Sequence, residues 1–95
     1  MNLKWTSKAL SDIARLYDFL VPVNKPAAAH TVQALTAAPR RILEQPRIDE
    51  RLDEFEPREV RRIFVGHYEI RYEIKAATVY VLQLWHTREA LHAAD

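Results

Sequence analysis

Residues 60–86 read VRRIFVGHYEIRYEIKAATVYVLQLWH, and this stretch decides the fold. Runs rich in β-branched and aromatic residues are separated by two short breaks, Gly66-His67 and Lys75-Ala76-Ala77. Breaks of this length suit hairpins between neighbouring antiparallel strands. The sequence therefore predicts three consecutive strands, at residues 60–65, 68–75 and 78–86.

The middle strand alternates between apolar and charged side chains. Because successive side chains of a strand point to opposite faces of its sheet, one face is predicted to be apolar. The other face is predicted to be charged and open to water. The apolar face carries Tyr68, Ile70, Tyr72 and Ile74, and the charged face carries Glu69, Arg71, Glu73 and Lys75.

A short strand and an amphipathic helix open the chain. Residues 2–5 alternate and are predicted to form a strand. Thr6 and Ser7 follow, and both are good residues for capping a helix. Apolar residues then recur at helical spacing until Pro22, which disfavours helical geometry in the residue before it. The sequence predicts the first helix at residues 7–21.

A second helix is predicted at residues 24–45. Asn24 can cap it, and Pro26 stands in its first turn, where a missing N–H group costs little. Pro39 is expected to kink or break this helix. A short connection joins the two helices, so they are expected to form an antiparallel hairpin.

The element order is β-α-α-β-β-β, which is typical of an α+β protein with two layers. The helical hairpin is expected to cover the apolar face of an antiparallel sheet. The charged segment between the second helix and residue 60 is predicted to be a loop that can hold a short edge strand. The residues expected to be buried are Leu10, Ile13, Tyr17, Val32, Leu35, Ile70, Val81 and Leu84.

Composition excludes several classes of function. The 95 residues are expected to form one domain, residues 1–95, and the net charge of +1 gives no general affinity for nucleic acid. The chain has no cysteine and one glycine, which argues against disulfides, thiolate sites and glycine-rich phosphate loops. With no signal peptide or membrane span recognised, we expect a cytoplasmic protein. The histidines His30, His67, His86 and His92 lack metal-ligand spacing, so no metal or cofactor is expected.

The element order and two stretches resemble the ParE/RelE toxins of bacterial type II toxin–antitoxin systems. The stretches are EPREVRRIFVGHYEIRYEI at residues 56–74 and VYVLQLWHTRE at residues 79–89. The resemblance covers nearly the whole chain and is closer to ParE. It implies a small toxin that a ParD-like, DNA-binding, dimeric antitoxin holds inactive in a hetero-oligomer.

Two activities occur among the proteins that the chain resembles. RelE-like members cut messenger RNA in the ribosome, whereas ParE-like members poison DNA gyrase. The resemblance implies that a nuclease here would use Arg71, His86 and Arg88. Cleavage of RNA needs a base, an acid and a positive group that holds the phosphate.

The residues around Arg71 and in the tail favour gyrase poisoning over RNA cleavage. Glu69 and Glu73 flank Arg71 on the strand, which weakens its attraction for phosphate. The tail EALHAAD has no tyrosine and no cation after Arg88, and His92 alone would have to supply the proton chemistry. We therefore predict no catalytic residues, and we interpret His86 and Arg88 as candidate contacts to the target.

An antitoxin is expected to dock a helix along the helical hairpin, and part of it can extend the sheet. This expectation comes from the resemblance. The candidate contact residues are Leu16, Leu20, Val32 and Leu35.

Overall fold

The computed structural model describes residues 1–89, which form two helices and a five-stranded sheet. The strand order in the sheet is β1-β5-β4-β3-β2. Short 3₁₀ turns at Asp53–Phe55 and Thr87–Glu89 complete the described chain. The elements are β1 (Asn2–Trp5), α1 (Ser7–Leu20), α2 (Lys25–Glu44), β2 (Glu50–Arg51), β3 (Glu59–Val65), β4 (Tyr68–Lys75) and β5 (Thr78–His86).

The predicted α+β architecture is confirmed, with one correction to the sheet. The strands β2 to β5 pair antiparallel as expected, and β2 is the short edge strand. The first strand, β1, pairs parallel with the last, so that Asn2 faces Thr78 and Trp5 faces Val81. The sheet is therefore mixed, because the chain passes through both helices and three strands before β5 forms beside β1.

Both helices begin at the predicted caps. The Thr6 hydroxyl accepts the N–H of Ala9 at 3.1 Å, and the Asn24 side chain accepts the N–H of Ala27 at 3.0 Å. These contacts satisfy N–H groups that have no partner inside the helix. The helical hairpin then lies on one face of the sheet.

Of the two effects expected of Pro39, a kink or a break, the break is wrong, since α2 continues through the proline to Glu44. Proline has no N–H group, so the carbonyl of Leu35 loses its helical partner. Leu35 and Ile42, on either side of the proline, are 0% and 1% exposed and pack into the core. Burial of both halves of the helix offsets the cost of the proline, which is ~3 kcal/mol in an exposed helix.

The buried face of α1 differs from the predicted one. Leu10 was expected in the core, yet 57% of it is exposed, whereas Leu16 is 2% exposed. Ile13 and Tyr17, also expected to be buried, are half-buried. Ala9 replaces Leu10 against the sheet and is fully buried.

Asp12 explains why a different face of α1 is buried from the one predicted. A charged residue outside the apolar stripe of α1 would be expected to face water, but Asp12 is 3% exposed. Its Oδ2 atom accepts the N–H of Leu84 in β5 at 3.0 Å, and its Oδ1 atom lies 2.5 Å from Lys8 Nζ. A charged side chain can therefore face the sheet because both of its oxygens have partners.

The core between the helices and the sheet follows the predicted register. Ile70 and Tyr72 of β4 are fully buried and face the helices, as expected. Leu35, Val81 and Leu84 are also fully buried, while Val32 is half-buried. The hydroxyl of Tyr72 reaches the end of α2, where it donates to the Pro46 carbonyl at 3.0 Å.

A β-bulge interrupts β5. Arg71 pairs with Gln83 and Tyr72 pairs with Val81, so Leu82 is an additional residue on β5. The Thr6 hydroxyl lies 2.8 Å from the Val81 carbonyl oxygen and 3.0 Å from that of Leu82, which fixes the bulge to the start of α1.

The bulge shifts the alternation of the side chains that follow it. Leu84 and His86 face the helices, together with Val81 before the bulge. Trp85 faces the opposite side of the sheet, beside Arg71.

The charged face of the sheet is not open to water, contrary to the prediction. The segment 50–58, which contains β2, packs across it, and Leu52 donates its N–H to the Val60 carbonyl at 2.8 Å. Val60 is fully buried, and Glu69 and Trp85 are each 4% exposed. Alternation alone could not reveal this, because the covering segment has no periodic apolar pattern.

The corrected orientation of α1 can be tested with two leucines of one helix. Leu16→Ala should lower the free energy of unfolding by ~2–5 kcal/mol, because it leaves a cavity in the core. Leu10→Ala, the matched control, should change it by less than about 0.5 kcal/mol, because the side chain is mostly exposed. Chemical denaturation of both variants measures the difference, and equal losses would contradict this orientation.

Candidate functional site

A groove lies where the second half of α1 meets the ends of β4 and β5. Its volume is about 380 Å³. Two side chains at its mouth, Phe19 and Arg88, are exposed, and Phe19 is 72% exposed. The groove is lined by Leu16, Phe19, Leu20, Tyr68, His86 and Arg88. We call it the end groove.

A second hollow of about 260 Å³ shares Tyr68 with the end groove. It lies between α2 and the turn that joins β3 to β4. Gly66 in this turn has φ of +58°, a left-handed conformation that glycine adopts without strain. The other lining residues are His30, Thr31, Ala34, Leu35, Val65 and His67.

His86 is held in a defined orientation. Its ring meets the ring of Tyr68 edge-on at 5.1 Å and stacks on His67 at 5.9 Å between centroids. The N–H of Arg88 donates to His86 Nδ1 at 3.1 Å. In the neutral ring the proton is therefore on Nε2. The N–H of Thr87 donates to the His67 carbonyl at 2.8 Å, which fixes the turn against the end of β5.

Arg71 lies on the opposite face of the sheet from His86. Its Nε atom donates to Glu69 at 3.1 Å, and its guanidinium carbon lies 5.6 Å from the centre of the Phe55 ring. The guanidinium also lies 4.7 Å from Trp85. Arg71 is therefore held by two aromatic rings and one carboxylate.

The three residues named for a nuclease, Arg71, His86 and Arg88, are not brought together. His86 and Arg88 share the end groove, whereas the sheet separates both of them from Arg71. A positive group that holds a phosphate has to lie within hydrogen-bond reach of the same reacting group as the acid and base. The His92 candidate and the tail from residue 90 lie outside the described residues.

The candidate antitoxin contacts divide into two pairs. Leu16 and Leu35 are 2% and 0% exposed, so they form the floor of the two hollows and belong to the core. Leu20 and Val32 are half-buried and reach the surface. The apolar stripe of the hairpin therefore contains both core and surface residues, and the four contacts stay a prediction.

Sequence reasoning missed the most exposed apolar residue of the groove, Phe19. A signal was present, because an aromatic residue outside the apolar stripe of a helix has no core to enter. Val23, in the turn after α1, is a second exposed apolar residue, at 81% exposure.

Nearly all the charges of the sheet are paired with one another. Arg58 contacts Glu73 through two nitrogen atoms, at 3.0 and 3.1 Å. Arg62 pairs in the same way with Glu50, at 3.0 and 3.2 Å. Within residues 1–88, by contrast, no carboxylate pairs with the guanidinium of Arg88.

These pairs shift the pKa values of the carboxyl groups. The hydrogen bond from Arg58 is the main cause that lowers the pKa of Glu73 below its ordinary value. Burial would raise the pKa of Glu59, but hydrogen bonds from Arg47 and Arg61 outweigh it, and the pKa is lowered. Both carboxylates are therefore charged at neutral pH.

Burial, and then the nearby Asp49 carboxylate, raises the pKa of Tyr72. The hydroxyl therefore stays protonated, and it lies 3.0 Å from an oxygen of Asp49. This arrangement is a structural link between β4 and the segment after α2.

The described residues contain no group of three or more ligating side chains that could hold a metal ion. In the same part of the chain, no helix is long and apolar enough to cross a membrane.

The family model of the ParE toxin of the type II toxin–antitoxin system, parDE, matches residues 3–91. The chain belongs to the ParE toxin family. As the toxin of such a system, it has an antitoxin partner. This match confirms the resemblance that the sequence suggested.

A solved structure gives the same result for the fold. A chain from the chromosomal ParDE toxin–antitoxin system of P. aeruginosa superposes with a TM-score of 0.74 at 25% sequence identity. The alignment covers 90% of this chain and 95% of that chain. No curated protein matches the sequence.

The pairing of Arg58 with Glu73 predicts a pH-dependent contribution to stability. The folded pKa of Glu73 is lowered, so this contribution is present above the ordinary glutamate pKa of roughly 4.3 and is lost as the pH falls through the folded value. Arg58→Gln should lower the free energy of unfolding at pH 7 by about 1 kcal/mol. The difference from the unmodified protein should shrink toward zero below about pH 4.

Arg51→Gln is the matched control. The guanidinium of Arg51 lies 4.0 Å from Glu56, at the limit of an ion pair, and both side chains are exposed. Its effect should be small at every pH. Denaturant unfolding at a series of pH values measures both variants, and a loss for Arg58→Gln that is constant with pH would contradict the assignment.

Proposed function

We propose that this toxin inhibits DNA gyrase, and so DNA replication, and that the antitoxin neutralises it by binding. Membership of the ParE family supports the proposal, because gyrase is the target that the resemblance implies. The observation that carries the choice between the two activities is the separation of Arg71 from His86 by the sheet.

A ribosome-dependent nuclease is the alternative, and the contacts of Arg71 argue against it. A clamp for a scissile phosphate needs a guanidinium whose donors point to the substrate. Here one donor is bonded to Glu69, and aromatic rings hold the group in place. His86 and Arg88 alone would have to supply acid, base and clamp.

A toxin that traps another enzyme needs a surface and no bond-breaking chemistry. A few residues dominate the energy of most protein interfaces, and arginine and aromatic residues are frequent among them. Phe19, His86 and Arg88 all line the end groove. We therefore assign the gyrase contact to this end of the molecule.

The antitoxin is proposed to contact both layers. A helix of the antitoxin packs along the hairpin at Leu20 and Val32, and an extended part adds to a free edge of the sheet. One such edge lies at the same end as the groove, because β2 pairs with β3 only at Arg61 and Arg62. Among the described strands, none pairs with the outer edge of residues 63–65.

The activity can be tested by measuring gyrase–DNA cleavage complexes and ribosome-bound messenger RNA cleavage in parallel. The double variant His86→Ala/Arg88→Ala should reduce gyrase poisoning by at least about tenfold, as loss of dominant contacts does. Arg40→Ala, an exposed arginine in the second half of α2, is the matched control and should leave poisoning unchanged.

Arg71→Gln separates the two mechanisms. It keeps a donor toward Glu69 but removes the positive charge, so a nuclease should lose ~10²–10³ in rate. Gyrase poisoning per folded molecule should change less than twofold, with folding checked by circular dichroism. Cleaved messages on ribosomes without any gyrase–DNA complex would refute the proposal.

The antitoxin contact has its own test. Co-expression with the antitoxin gene that neighbours the toxin gene should give one stable complex in size-exclusion chromatography. Val32→Glu should weaken this complex by at least about tenfold, because it places a charge in a desolvated contact. Gln33→Glu, the next residue and an exposed one, is the control. Separate elution of the unmodified proteins at micromolar concentration would contradict the proposed docking.

A further inference from the structure

Two hydrogen bonds hold the turn after β5 at the end groove, and one of them depends on the protonation state of His86. The N–H of Thr87 donates to the His67 carbonyl at 2.8 Å, a backbone contact that does not titrate. The N–H of Arg88 donates to His86 Nδ1 at 3.1 Å, and this contact needs the free lone pair of a neutral ring. The backbone of Arg88 is therefore held by a side chain of the kind that changes charge near neutral pH.

Protonation of His86 removes this acceptor. The neutral ring already carries a proton on Nε2, so a proton taken from the solvent can bind only at Nδ1. Nδ1 then becomes a donor that faces the donor N–H of Arg88. Turning the ring over does not restore the bond, because both nitrogen atoms of an imidazolium are donors. The ring and the turn therefore have to separate.

The neighbours of His86 are neutral or cationic. From the turn between β3 and β4, the His67 ring stacks on it at 5.9 Å, and from β4 the Tyr68 ring meets it edge-on at 5.1 Å. The turn after β5 contributes Arg88 to the end groove, and α2 contributes His30 to the adjoining second hollow. A nearby like charge disfavours the charged form of a group, so Arg88 and a protonated His67 both oppose a positive charge on His86.

Helix α1 contributes no charge to the end groove. The charged residues next to its lining residues, Arg15 and Asp18, are exposed and line neither hollow, and Arg15 lies 3.8 Å from Asp12. Among the described residues that line the two hollows, none is an aspartate or a glutamate. Within this part of the chain, a protonated His86 has no carboxylate at the groove to hold it in place. The residues that α1 adds to the lining are apolar: Leu16, Phe19 and Leu20.

We propose that the turn after β5 is a proton-controlled joint: the toxin contacts gyrase while His86 is neutral and loses the contact when Nδ1 takes up a proton. The proposal rests on the function proposed above and specifies how that site is regulated. Protonation disconnects His86 from Arg88, the two residues assigned to the target. Only molecules with the turn in place bind, so the apparent affinity falls with their fraction as the pH falls.

The joint itself can be tested on the free toxin, without gyrase. An NMR titration follows the ring nitrogens of His86 and the backbone N–H of Arg88 between about pH 8 and about pH 5. At the upper end, His86 should carry its proton on Nε2 alone. The Arg88 signal should then shift with the same midpoint as the protonation of Nδ1. A proton on Nδ1 at the upper end, or an Arg88 signal that does not follow the titration of His86, overturns the proposal.

The regulation is tested by measuring the Kd of the toxin for purified gyrase at about pH 7.5 and about pH 5.5, a range in which imidazoles change charge. His86→Asn is the decisive variant, because its amide oxygen can accept the Arg88 N–H and does not titrate. The ratio of the two Kd values should be at least about fivefold larger for the unmodified toxin than for His86→Asn, as expected for the loss of one hydrogen bond. Comparing the ratios cancels any titration of gyrase itself.

Two further histidine variants locate the sensor. His67→Gln removes the stacked ring but keeps the backbone carbonyl that holds Thr87, and His30→Gln removes the exposed histidine of the second hollow. Each should retain the pH dependence of the unmodified toxin. If the dependence disappears in either variant and persists in His86→Asn, the sensor is another histidine and the proposal is overturned. A Kd that falls on acidification overturns it as well.

The two measurements separate this proposal from the proposed function. If the unmodified toxin binds gyrase at neither pH, the proposed function falls, and the NMR titration still decides whether the joint exists. If the toxin binds gyrase with the same Kd at both pH values although His86 titrates, the proposed function stands and the regulation is overturned.

Discussion

The contacts between the start of α1 and the middle of β5 set the geometry on which the rest of the molecule depends. Thr6 caps the helix and bonds to the carbonyls of Val81 and Leu82, and Asp12 accepts the N–H of Leu84. These contacts hold a bulge in β5, and the bulge decides which face of the sheet His86 occupies. With uninterrupted alternation from Val81, His86 would lie on the same face as Arg71. Thr6 and Asp12, at the start of α1, thus keep His86 and Arg71 on opposite faces of the sheet, where they cannot act together in catalysis.

The separation leaves a molecule suited to binding rather than chemistry. On one face of the sheet, arginines and carboxylates neutralise each other beneath the segment 50–58, and Arg71 is part of that structure. On the other face, beyond the helical hairpin, the end groove combines an exposed phenylalanine with a cation that has no carboxylate partner within residues 1–88. The ion pairs of the sheet stabilise the fold, whereas the charge of Arg88 at the groove is available to a binding partner.

The sequence predicted the elements well because their signals are local. Caps, hairpin breaks and the period of apolar residues placed both helices and the three long strands to within a few residues. The failures arose where a polar residue has a distant partner. Asp12 could not be assigned to the core without knowing that Leu84 offers an N–H group there, and the burial of Glu69 depends on arginines and on the covering segment. The sequence predicted part of the candidate site, since His86 and Arg88 line the same groove. It could not predict the bulge that places Arg71 on the other face, or the exposure of Phe19, because both depend on tertiary contacts.

The parallel pairing of β1 with β5 has a consequence for biosynthesis. β1 is the first strand to leave the ribosome, but it cannot pair until nearly the whole chain has been synthesised, because Asn2 pairs with Thr78 and Trp5 with Val81. Residues are added at ~5–20 per second, and long-range pairing cannot precede the synthesis of its second strand. The contacts that position His86 form at the same late stage, since Thr6 and Asp12 bond to β5. A nascent toxin therefore lacks both its complete sheet and its binding groove until the last strand has emerged, and a partially translated chain cannot present the surface of the finished protein.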